Sequence, residues 1–202
     1  FQEFSHRKSI KKLKLKSFPL IVKCLNEEAS LGIATASIAN TAEKVMERVK
    51  FIHQQYNTEA IVEEFIPGIE LYVGVLGNLR LQTLPVWQLF FDDVDSPDKE
   101  IYSERAKFNK NYRQRKGIRT GPAEISEELE KRVVDIAKKT YRALDLNGYA
   151  RIDLRVTEDQ RIYVLEANPN PDISKSDEFA MSAKKDKINY KELLTKILNL
   201  SR

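Results

Sequence analysis

The sequence predicts a mixed α+β fold, and two observations support that class. Short apolar runs typical of strands are interspersed with amphipathic helical patterns, and Gly, Pro and Asn residues separate them. In addition, 202 residues with 42% hydrophobic side chains are enough to bury a full core. The chain is therefore expected to be an ordinary globular protein with one domain or two small lobes.

The first half is expected to contain one helix between strands. Residues 19–23 form a short apolar run that ends in a lysine, and a loop of small and polar residues follows at 26–33. Residues 40–43 resemble a capping box and start a helix that should continue to about residue 55. After it, the pattern predicts strands with a Pro-Gly break and a Gly-Asn turn between them, at residues 60–65, 70–76 and 79–87.

The second half is expected to combine a long loop, helices and a hairpin. Residues 92–121 are charged and lack periodicity, which predicts an irregular, mobile loop that covers a site. Acidic residues after Ser126 and apolar residues at helical spacing predict a helix that ends near Gly148. Residues 152–156 and 162–167 then predict a hairpin, and a last helix follows near the C-terminus.

The hairpin carries the clearest chemistry. If its strands pair antiparallel, Asp153 and Glu166 can project from one face with Asn168 just beyond. These are hard oxygen ligands, and a carboxylate pair with an amide favours a magnesium-nucleotide site over a closed structural cage. Arg151 precedes Asp153 by two residues on the same face, where a cation can stabilise an anion. The alternative is a half-buried strand whose charges simply form ion pairs.

Composition excludes several classes of protein. The single cysteine, Cys24, excludes an internal disulfide framework, and no apolar run approaches the roughly 18 residues that cross a bilayer, so a cytoplasmic protein without membrane contact is expected. The net charge is +4, and six basic residues lie close together between positions 7 and 16. Because no aromatic residues are interleaved there, a solvated arm is favoured over a nucleic-acid surface. The chain begins at Phe1 without an initiating Met or a signal peptide, which suggests a fragment.

Four segments in order, residues 19–33, 61–77, 106–108 and 148–176, resemble the ATP-grasp ligases, most closely the C-terminal two thirds of the D-alanine-D-alanine ligases. The resemblance implies an ATP-grasp fold, in which two α+β lobes with antiparallel sheets enclose the nucleotide. The smaller lobe, with the basic arm, would be residues 1–66 and the larger, with the metal site, residues 67–202. The family's N-terminal domain would be absent. In such enzymes ATP phosphorylates a carboxylate, and an amine attacks the acylphosphate to form an amide or peptide bond.

The resemblance also implies how the nucleotide is held. Lys23 would meet the α-phosphate, and Glu63 would accept a hydrogen bond from the adenine amino group. The backbone of Glu64 and Ile66 would bind the edge of the ring, and Glu70 would hold the ribose. Without the resemblance, Lys23 is an exposed strand-end lysine and the acids are solvated strand residues.

Further residues are assigned to the phosphates and the purine by the same resemblance. Ser30 belongs to the loop over the phosphates, and Lys107 would touch the γ-phosphate as its loop closes. Apolar walls for the purine would come from Ile21, Phe65 and Leu165.

For the metal and the chemistry, the resemblance makes Asp153, Glu166 and Asn168 the ligands of two Mg²⁺ ions, or Mn²⁺, with Glu166 bridging. Arg151 and Lys107 would be the catalytic residues, with Arg151 stabilising the acylphosphate and the tetrahedral intermediate.

Departures from the family pattern concern mainly the acceptor. Glu28 stands in the phosphate loop, Phe108 replaces a tyrosine, and Asp172 lies where the family has small neutral residues, with Asp177 and Glu178 behind it. A carboxylate there disfavours an acceptor with its own carboxylate, unless Asp172 turns outward and caps the following segment.

The sequence therefore favours an ATP-dependent carboxylate-amine ligase whose acceptor differs from D-alanine. Its expected partners are ATP, a small carboxylic acid and an amine, with a homodimer possible. The alternatives are a divergent D-alanine-D-alanine ligase and a nucleotide-binding module without ligase activity. A nucleic-acid binder is the weakest alternative.

Overall fold

The computed structural model describes residues 1–6, 12–27 and 31–200. In that part of the chain the strands are β1 (Gln2–Phe4), β2 (Leu20–Cys24), β3 (Ile38–Ala39), β4 (Ala60–Glu64), β5 (Ile69–Leu76), β6 (Gln82–Thr83), β7 (Trp87–Phe91), β8 (Ile118–Pro122), β9 (Tyr149–Val156) and β10 (Ile162–Asn168). The helices are α1 (Ala42–Tyr56), α2 (Glu104–Phe108), α3 (Lys110–Arg115), α4 (Glu127–Ala143), α5 (Glu178–Lys185) and α6 (Tyr190–Leu200). The predicted α+β class is confirmed.

The chain divides into two compact units. The first contains Phe1–Ile66 and Lys99–Lys116, and the second contains Pro67–Asp98 and Gly117–Arg202. Residues 99–116 thus group with residues 1–66 by their contacts. None of the helices in the described ranges is long and apolar enough to cross a membrane.

The first unit is built on a four-stranded antiparallel sheet with strand order β1-β4-β2-β3. Helix α1 buries Val45, Val49 and Ile52 against this sheet, at the spacing of one helix face. Its N-terminus is capped by Thr41, whose side chain accepts a hydrogen bond from the backbone of Lys44. The predicted helix is thus confirmed.

The second unit is built on a six-stranded antiparallel sheet, with β10-β9-β5-β7-β8 in order and β6 paired to β5. One face packs on α4, which buries Leu129, Val133, Ala137 and Tyr141 at regular spacing against β5 and β9. Because side chains alternate along a strand, the remaining residues of β5 and β9 project from the opposite face. That opposite face carries the charged residues.

Two sequence predictions need correction. Residues 92–121 are largely regular, with a 3-10 turn at Pro97–Lys99 followed by α2, α3 and β8. Helices of five and six residues are too short to show an apolar period, and they are set instead by the caps Ser103 and Asn109. The strand predicted at residues 79–87 is also wrong: only the two residues of β6 pair with β5 there, and β7 begins at Trp87.

Candidate active site

A β-bulge in β10 aligns the acidic residues of the predicted hairpin. Val164 pairs with Leu154, but Glu166 pairs with Asp153, so Leu165 is the extra residue between them. In a regular ladder Leu165 would oppose Asp153, and Glu166 would project from the other face. Because of the bulge, Glu166 and Asp153 lie opposite one another on the charged face, as the sequence predicted.

Arg151 is held by Asp153 through two hydrogen bonds. Its Nε and Nη2 donate to the two carboxylate oxygens at 2.7 and 2.9 Å. Both side chains are largely buried. Burial alone would lower the pKa of Arg151, but the Asp153 carboxylate outweighs it and raises that pKa. Burial also raises the pKa of Asp153 to about 7, against the opposing effect of Arg151.

Glu166 and Asn168 are the other two predicted metal ligands, and they differ in how many hydrogen-bond partners they have. Glu166 is exposed and makes no hydrogen bond or ion pair with the residues that the structure describes. The side-chain oxygen of Asn168 accepts a hydrogen bond from the backbone of Asn170 at 2.9 Å, which leaves it a second lone pair. Their Cα partners on β9 are Asp153 and Arg151, respectively.

These donors fit a magnesium-nucleotide site. Within the described ranges no group of three or more Asp, Glu, His and Cys side chains could hold a metal on its own. Two carboxylates and an amide oxygen leave coordination positions for water and phosphate, which is how Mg²⁺ usually binds in nucleotide enzymes. Asp153, Glu166 and Asn168 therefore fit a metal site that is shared with a nucleotide better than a closed structural site.

Two further residues of β5 lie on this face. The Tyr72 hydroxyl donates to Glu70 at 2.9 Å, and the ring of Tyr72 lies 4.9 Å from the Arg151 guanidinium. Arg155 faces Glu70 across the strands, with Nη2 and Oε2 3.7 Å apart. Glu70, the predicted ribose ligand, thus lies on the same face as the predicted catalytic Arg151, and Tyr72 contacts both residues.

The first turn of α5 approaches the same face. Glu178 lies 3.7 Å from the Arg151 guanidinium. Gly74, the Cα partner of Arg151 on β5, gives the helix room, since a Cβ there would lie 3.0 Å from Phe179. Asp177 is the N-cap of α5, yet its side chain caps nothing. Its Oδ1 is buried and has no hydrogen-bond partner among the described residues.

On the first unit, the structure brings two of the predicted nucleotide-binding residues together. Lys23 Nζ lies 2.8 Å from Glu63 Oε2, and both side chains are about one-third exposed, at 30% and 36%. They project from one face of the β2-β4 pair, where Ile21 is the Cα partner of Glu63. Each of these two charges is therefore compensated by the other.

The remaining residues predicted for the purine differ in burial. Phe65 is buried with Ile21 and Ile101, and its N–H donates to Pro19 O at 3.0 Å. On the second unit, by contrast, Leu165 is 40% exposed at the bulge.

Glu64 and Ile66, whose backbone was predicted to bind the edge of the adenine ring, lie just before Pro67 on the first unit. Glu64 is the last residue of β4 and is exposed, and Ile66 is partly buried.

The loop after β2 is fixed to α2 at one glycine. Gly32 has a φ of +69°. Its N–H donates to Glu104 Oε2 at 2.9 Å, and its carbonyl accepts from Arg48. Lys107, on the same short helix as Glu104, lies 5.7 Å from the ring of Tyr102. The structure thus ties the helix of Lys107 to this loop.

Two residues that the sequence analysis singled out in this loop, Ser30 and Glu28, lie outside the described residues.

The sequence pattern missed Tyr72, and it did not predict the contact of Glu178 with Arg151. For Tyr72 a signal existed, because it follows Glu70 by two residues and strand alternation places both on one face. For Glu178 no local signal existed. Its approach to Arg151 depends on where α5 packs, which is set by contacts distant in sequence.

Comparisons with known proteins agree on one family. The family described as D-ala D-ala ligase C-terminus matches residues 2–199. A D-alanine--D-alanine ligase of Carboxydothermus hydrogenoformans is 30% identical over 183 residues, which cover 90% of this chain and 54% of that protein. An uncharacterized protein of Sinorhizobium fredii is also 30% identical, over 91% of this chain and 52% of its own length. The chain thus spans about half the length of the curated relatives it matches.

Solved structures show the same fold at lower identity. The D-alanine--D-alanine ligase of Bacillus anthracis complexed with ATP superposes with a TM-score of 0.76 at 22% identity, covering 99% of this chain and 58% of that one. The VanG D-Ala:D-Ser ligase of Enterococcus faecalis gives a TM-score of 0.72 at 24% identity, covering 91% and 50%. The predicted ATP-grasp fold is confirmed, and the chain belongs to the family of D-alanine-D-alanine ligase C-terminal domains.

Proposed function

We propose that this chain is the ATP-binding and catalytic part of an ATP-dependent carboxylate-amine ligase, which forms an amide or peptide bond through an acylphosphate. The observation that carries the proposal is the alignment of Asp153 with Glu166 and of Arg151 with Asn168 across β9 and β10. A buried carboxylate, an exposed carboxylate and a buried guanidinium on one face provide what phosphoryl transfer needs. Membership of a ligase family supports the same conclusion.

In this proposal Asp153, Glu166 and Asn168 hold two Mg²⁺ ions together with the ATP phosphates. The metal would neutralise charge on the phosphates. Arg151, already oriented by Asp153, would stabilise the negative charge of the acylphosphate and of the tetrahedral intermediate.

The nucleotide roles of Lys23, Glu63, Glu70 and Lys107 belong to the same proposal, as do those of Ser30, Glu64, Ile66 and Leu165. Lys23 and Glu63 support it, because they lie side by side on one face of β2 and β4, where a cation and a carboxylate can bind two parts of the same nucleotide. The domain division proposed from the resemblance, residues 1–66 and 67–202, differs from the compact units only in the place of residues 99–116. A cytoplasmic location, where ATP and Mg²⁺ are supplied, accords with this function.

We further propose that the acceptor differs from D-alanine. Asp177 supports this, because its buried Oδ1 has no partner among the described residues and it lies next to Glu178. Burial, and then Glu178, raises the pKa of Asp177 to about 7. The same burial and the Glu178 carboxylate would disfavour a further carboxylate on the acceptor, by about 1 kcal/mol or more for each neighbouring group that is ionised. The acceptor should therefore lack a carboxylate at that point or carry a positive group, as a polyamine or a basic amino acid does.

Asp172 is not assigned to acceptor selection in this proposal, because its carboxylate is bonded to Ser174. It is exposed, and it accepts hydrogen bonds from the backbone N–H of Ser174, at 2.7 Å, and from the Ser174 hydroxyl. These bonds lower the pKa of Asp172. This is the capping arrangement that the sequence left open, so we assign acceptor selection to Asp177.

The function is tested by ADP release from the full-length protein with Mg²⁺, ATP and panels of carboxylic acids and amines. We expect release only when an acid and an amine are both present, with basic amines preferred. Efficient synthesis of D-alanyl-D-alanine would contradict the proposed acceptor and favour a divergent D-alanine-D-alanine ligase. ATP binding without ADP release for any pair would contradict ligase activity and favour a non-catalytic module.

Acceptor selection is tested by two matched variants. Asp177→Ser should relax the preference toward simple α-amino acids, because it removes the acid beside Glu178. Asp172→Gly should leave the preference unchanged, since that carboxylate is occupied by Ser174. Equal preferences in both variants and the unchanged protein would overturn the role of Asp177.

A further inference from the structure

Tyr72 contacts two groups of the proposed active site at once. Its hydroxyl donates to Glu70 Oε1 at 2.9 Å, and its ring lies 4.9 Å from the centre of the Arg151 guanidinium. The side chain is buried, with 4% of its surface exposed. It lies therefore between the residue proposed for the ribose and the residue proposed for the acylphosphate.

The strand register explains this position. Tyr72 is the Cα partner of Asp153, and Glu70 is the Cα partner of Arg155. Arg151 lies diagonally across from Tyr72, within reach of a large aromatic side chain. A smaller residue at position 72 would still occupy the strand, but it would reach neither Glu70 nor Arg151.

We propose that Tyr72 is a positioning residue with two separable roles: its hydroxyl orients Glu70 to bind the nucleotide, and its ring orients Arg151 to act on the acylphosphate. This inference rests on the proposed function.

The hydroxyl role follows from how Glu70 is held. Tyr72 donates to one carboxylate oxygen, and Arg155 lies 3.7 Å from the other. With a cation on one side and a donor on the other, the carboxylate has little freedom to rotate. Burial, and then Glu70, raises the pKa of Tyr72 well above its ordinary value, so the phenol remains a proton donor at physiological pH.

The ring role follows from the partners of Arg151. Asp153 fixes the guanidinium through Nε and Nη2, and Glu178 approaches Nη1 at 3.7 Å. Asp153 binds two N–H groups of the guanidinium as a bidentate pair, whereas the aromatic ring of Tyr72 supports the group by a cation–π contact. Without the ring, Arg151 would keep its carboxylate partners but lose this support.

The test compares Tyr72→Phe with Tyr72→Leu in the full-length protein. Tyr72→Phe keeps the ring, so KM for ATP should rise about tenfold while kcat changes less than about twofold. Tyr72→Leu removes both contacts, so it should add a fall in kcat of about tenfold or more to the same rise in KM. Tyr72→Met provides a second ring-deleting variant in case Tyr72→Leu does not fold.

Tyr141→Phe is the matched control. The Tyr141 hydroxyl donates to Gly77 O at 2.8 Å in the core under α4, and Tyr141 is 1% exposed. Its loss removes a buried hydrogen bond without contact to Glu70 or Arg151, so Tm should fall while KM and kcat stay unchanged. If Tyr72→Phe lowered Tm in the same way and left KM unchanged, the hydroxyl would be structural only and the proposal would be overturned.

A fall in kcat for Tyr72→Phe as large as for Tyr72→Leu would overturn the separation of the two roles. If the unchanged protein binds Mg-ATP but releases no ADP, the proposed function fails, yet a Mg-ATP titration still tests the hydroxyl. An affinity of Tyr72→Phe equal to that of the unchanged protein would then overturn this inference. Absence of Mg-ATP binding in the unchanged protein would overturn both.

Discussion

At the scale of single residues, Arg151 shows how the site combines charge with rigidity. Asp153 accepts hydrogen bonds from two of its N–H donors, Glu178 approaches a third, and the Tyr72 ring lies against the guanidinium. A planar guanidinium can satisfy several partners at fixed angles and still present an edge to an anion. A lysine at this place would offer one charge on a flexible stem.

We predict that Arg151→Lys lowers kcat on the order of 10²-fold and changes KM for ATP little, because the bidentate pair with Asp153 is lost while the nucleotide contacts remain. Steady-state kinetics of ADP release measure this effect. Arg161→Lys, on the exposed turn end of the hairpin, is the control and should have no effect. Arg151→Lys with an unchanged kcat would contradict the catalytic role.

The stability of the chain should depend on Asp177 in a defined pH range. Its pKa is raised from 3.8 to about 7 in the folded protein, so the folded state binds more protons than the unfolded state between these values. Stability from this group is therefore present at low pH and is lost as pH rises through about 4 to 7. In urea unfolding, the free energy of unfolding of Asp177→Asn should decrease by about 1 kcal/mol less over this pH range than that of the unchanged protein, after allowance for solvent screening. If the free energy of unfolding depended on pH identically in the variant and the unchanged protein, the raised pKa of Asp177 would be contradicted.

At the scale of elements, the hairpin was predicted from sequence but its bulge was not. The pairing of β9 with β10 and the shared face of Asp153 and Glu166 are as the apolar runs and turn indicated. The run from Ile162 to Leu165 is continuously apolar, however, so it has no alternation that would reveal an extra residue. Only the paired strand fixes which side chain faces which.

Glycine at position 68 is required where β5 begins. Gly68 has a φ of +149°, and a Cβ there would lie 2.1 Å from the carbonyl oxygen of Val156. We predict that Gly68→Ala lowers the free energy of unfolding by about 3 kcal/mol or more, because backbone must move. Gly148 also has a positive φ, +72°, but nothing lies within 4 Å of its Cβ position.

Gly148→Ala is therefore the control, and we expect a cost of only about 1 kcal/mol from backbone strain. Chemical denaturation of both variants provides the comparison. Equal losses would show that the close approach of Val156 at Gly68 does not matter.

Short elements were the least predictable part of the fold. The helices α2 and α3 have too few turns to show a period, and α5 follows a polar stretch that reads as a loop. Their places depend on contacts far away in sequence. Gly32, for example, is bonded to Glu104, 72 positions later. Such contacts cannot be inferred from local patterns.

At the scale of the whole molecule, the division into two units explains which part of the site could be predicted. The residues proposed to hold the metal lie on one hairpin, so spacing alone predicted them, with Arg151 beside them. The residues proposed for the nucleotide come from both units, with Lys23 and Glu63 on the first and Glu70 on the second. No period in the sequence links these segments, and only the family resemblance assigned them a common ligand.

Magnesium and ATP should stabilise the folded chain together. A ligand that binds only the folded state adds about 2.7 kcal/mol when present at 100 times its Kd. We therefore expect Tm to rise with Mg-ATP and to return to the ligand-free value on addition of EDTA, because the phosphates then lose the ion shared with Asp153 and Glu166. Differential scanning calorimetry measures this shift. An equal rise with ATP in EDTA would contradict a metal-bridged nucleotide.

In the proposed function, the bulge-aligned carboxylates Asp153 and Glu166 hold magnesium-ATP for phosphoryl transfer. Its most direct test is the rate of ADP release in a magnesium titration, comparing Glu166→Gln with Glu158→Gln. Glu158 lies exposed in the turn of the same hairpin and serves as the control. We expect Glu166→Gln to lose on the order of 10²-fold in rate and Glu158→Gln to lose none. A Glu166→Gln protein with the unchanged rate at every magnesium concentration would contradict the account.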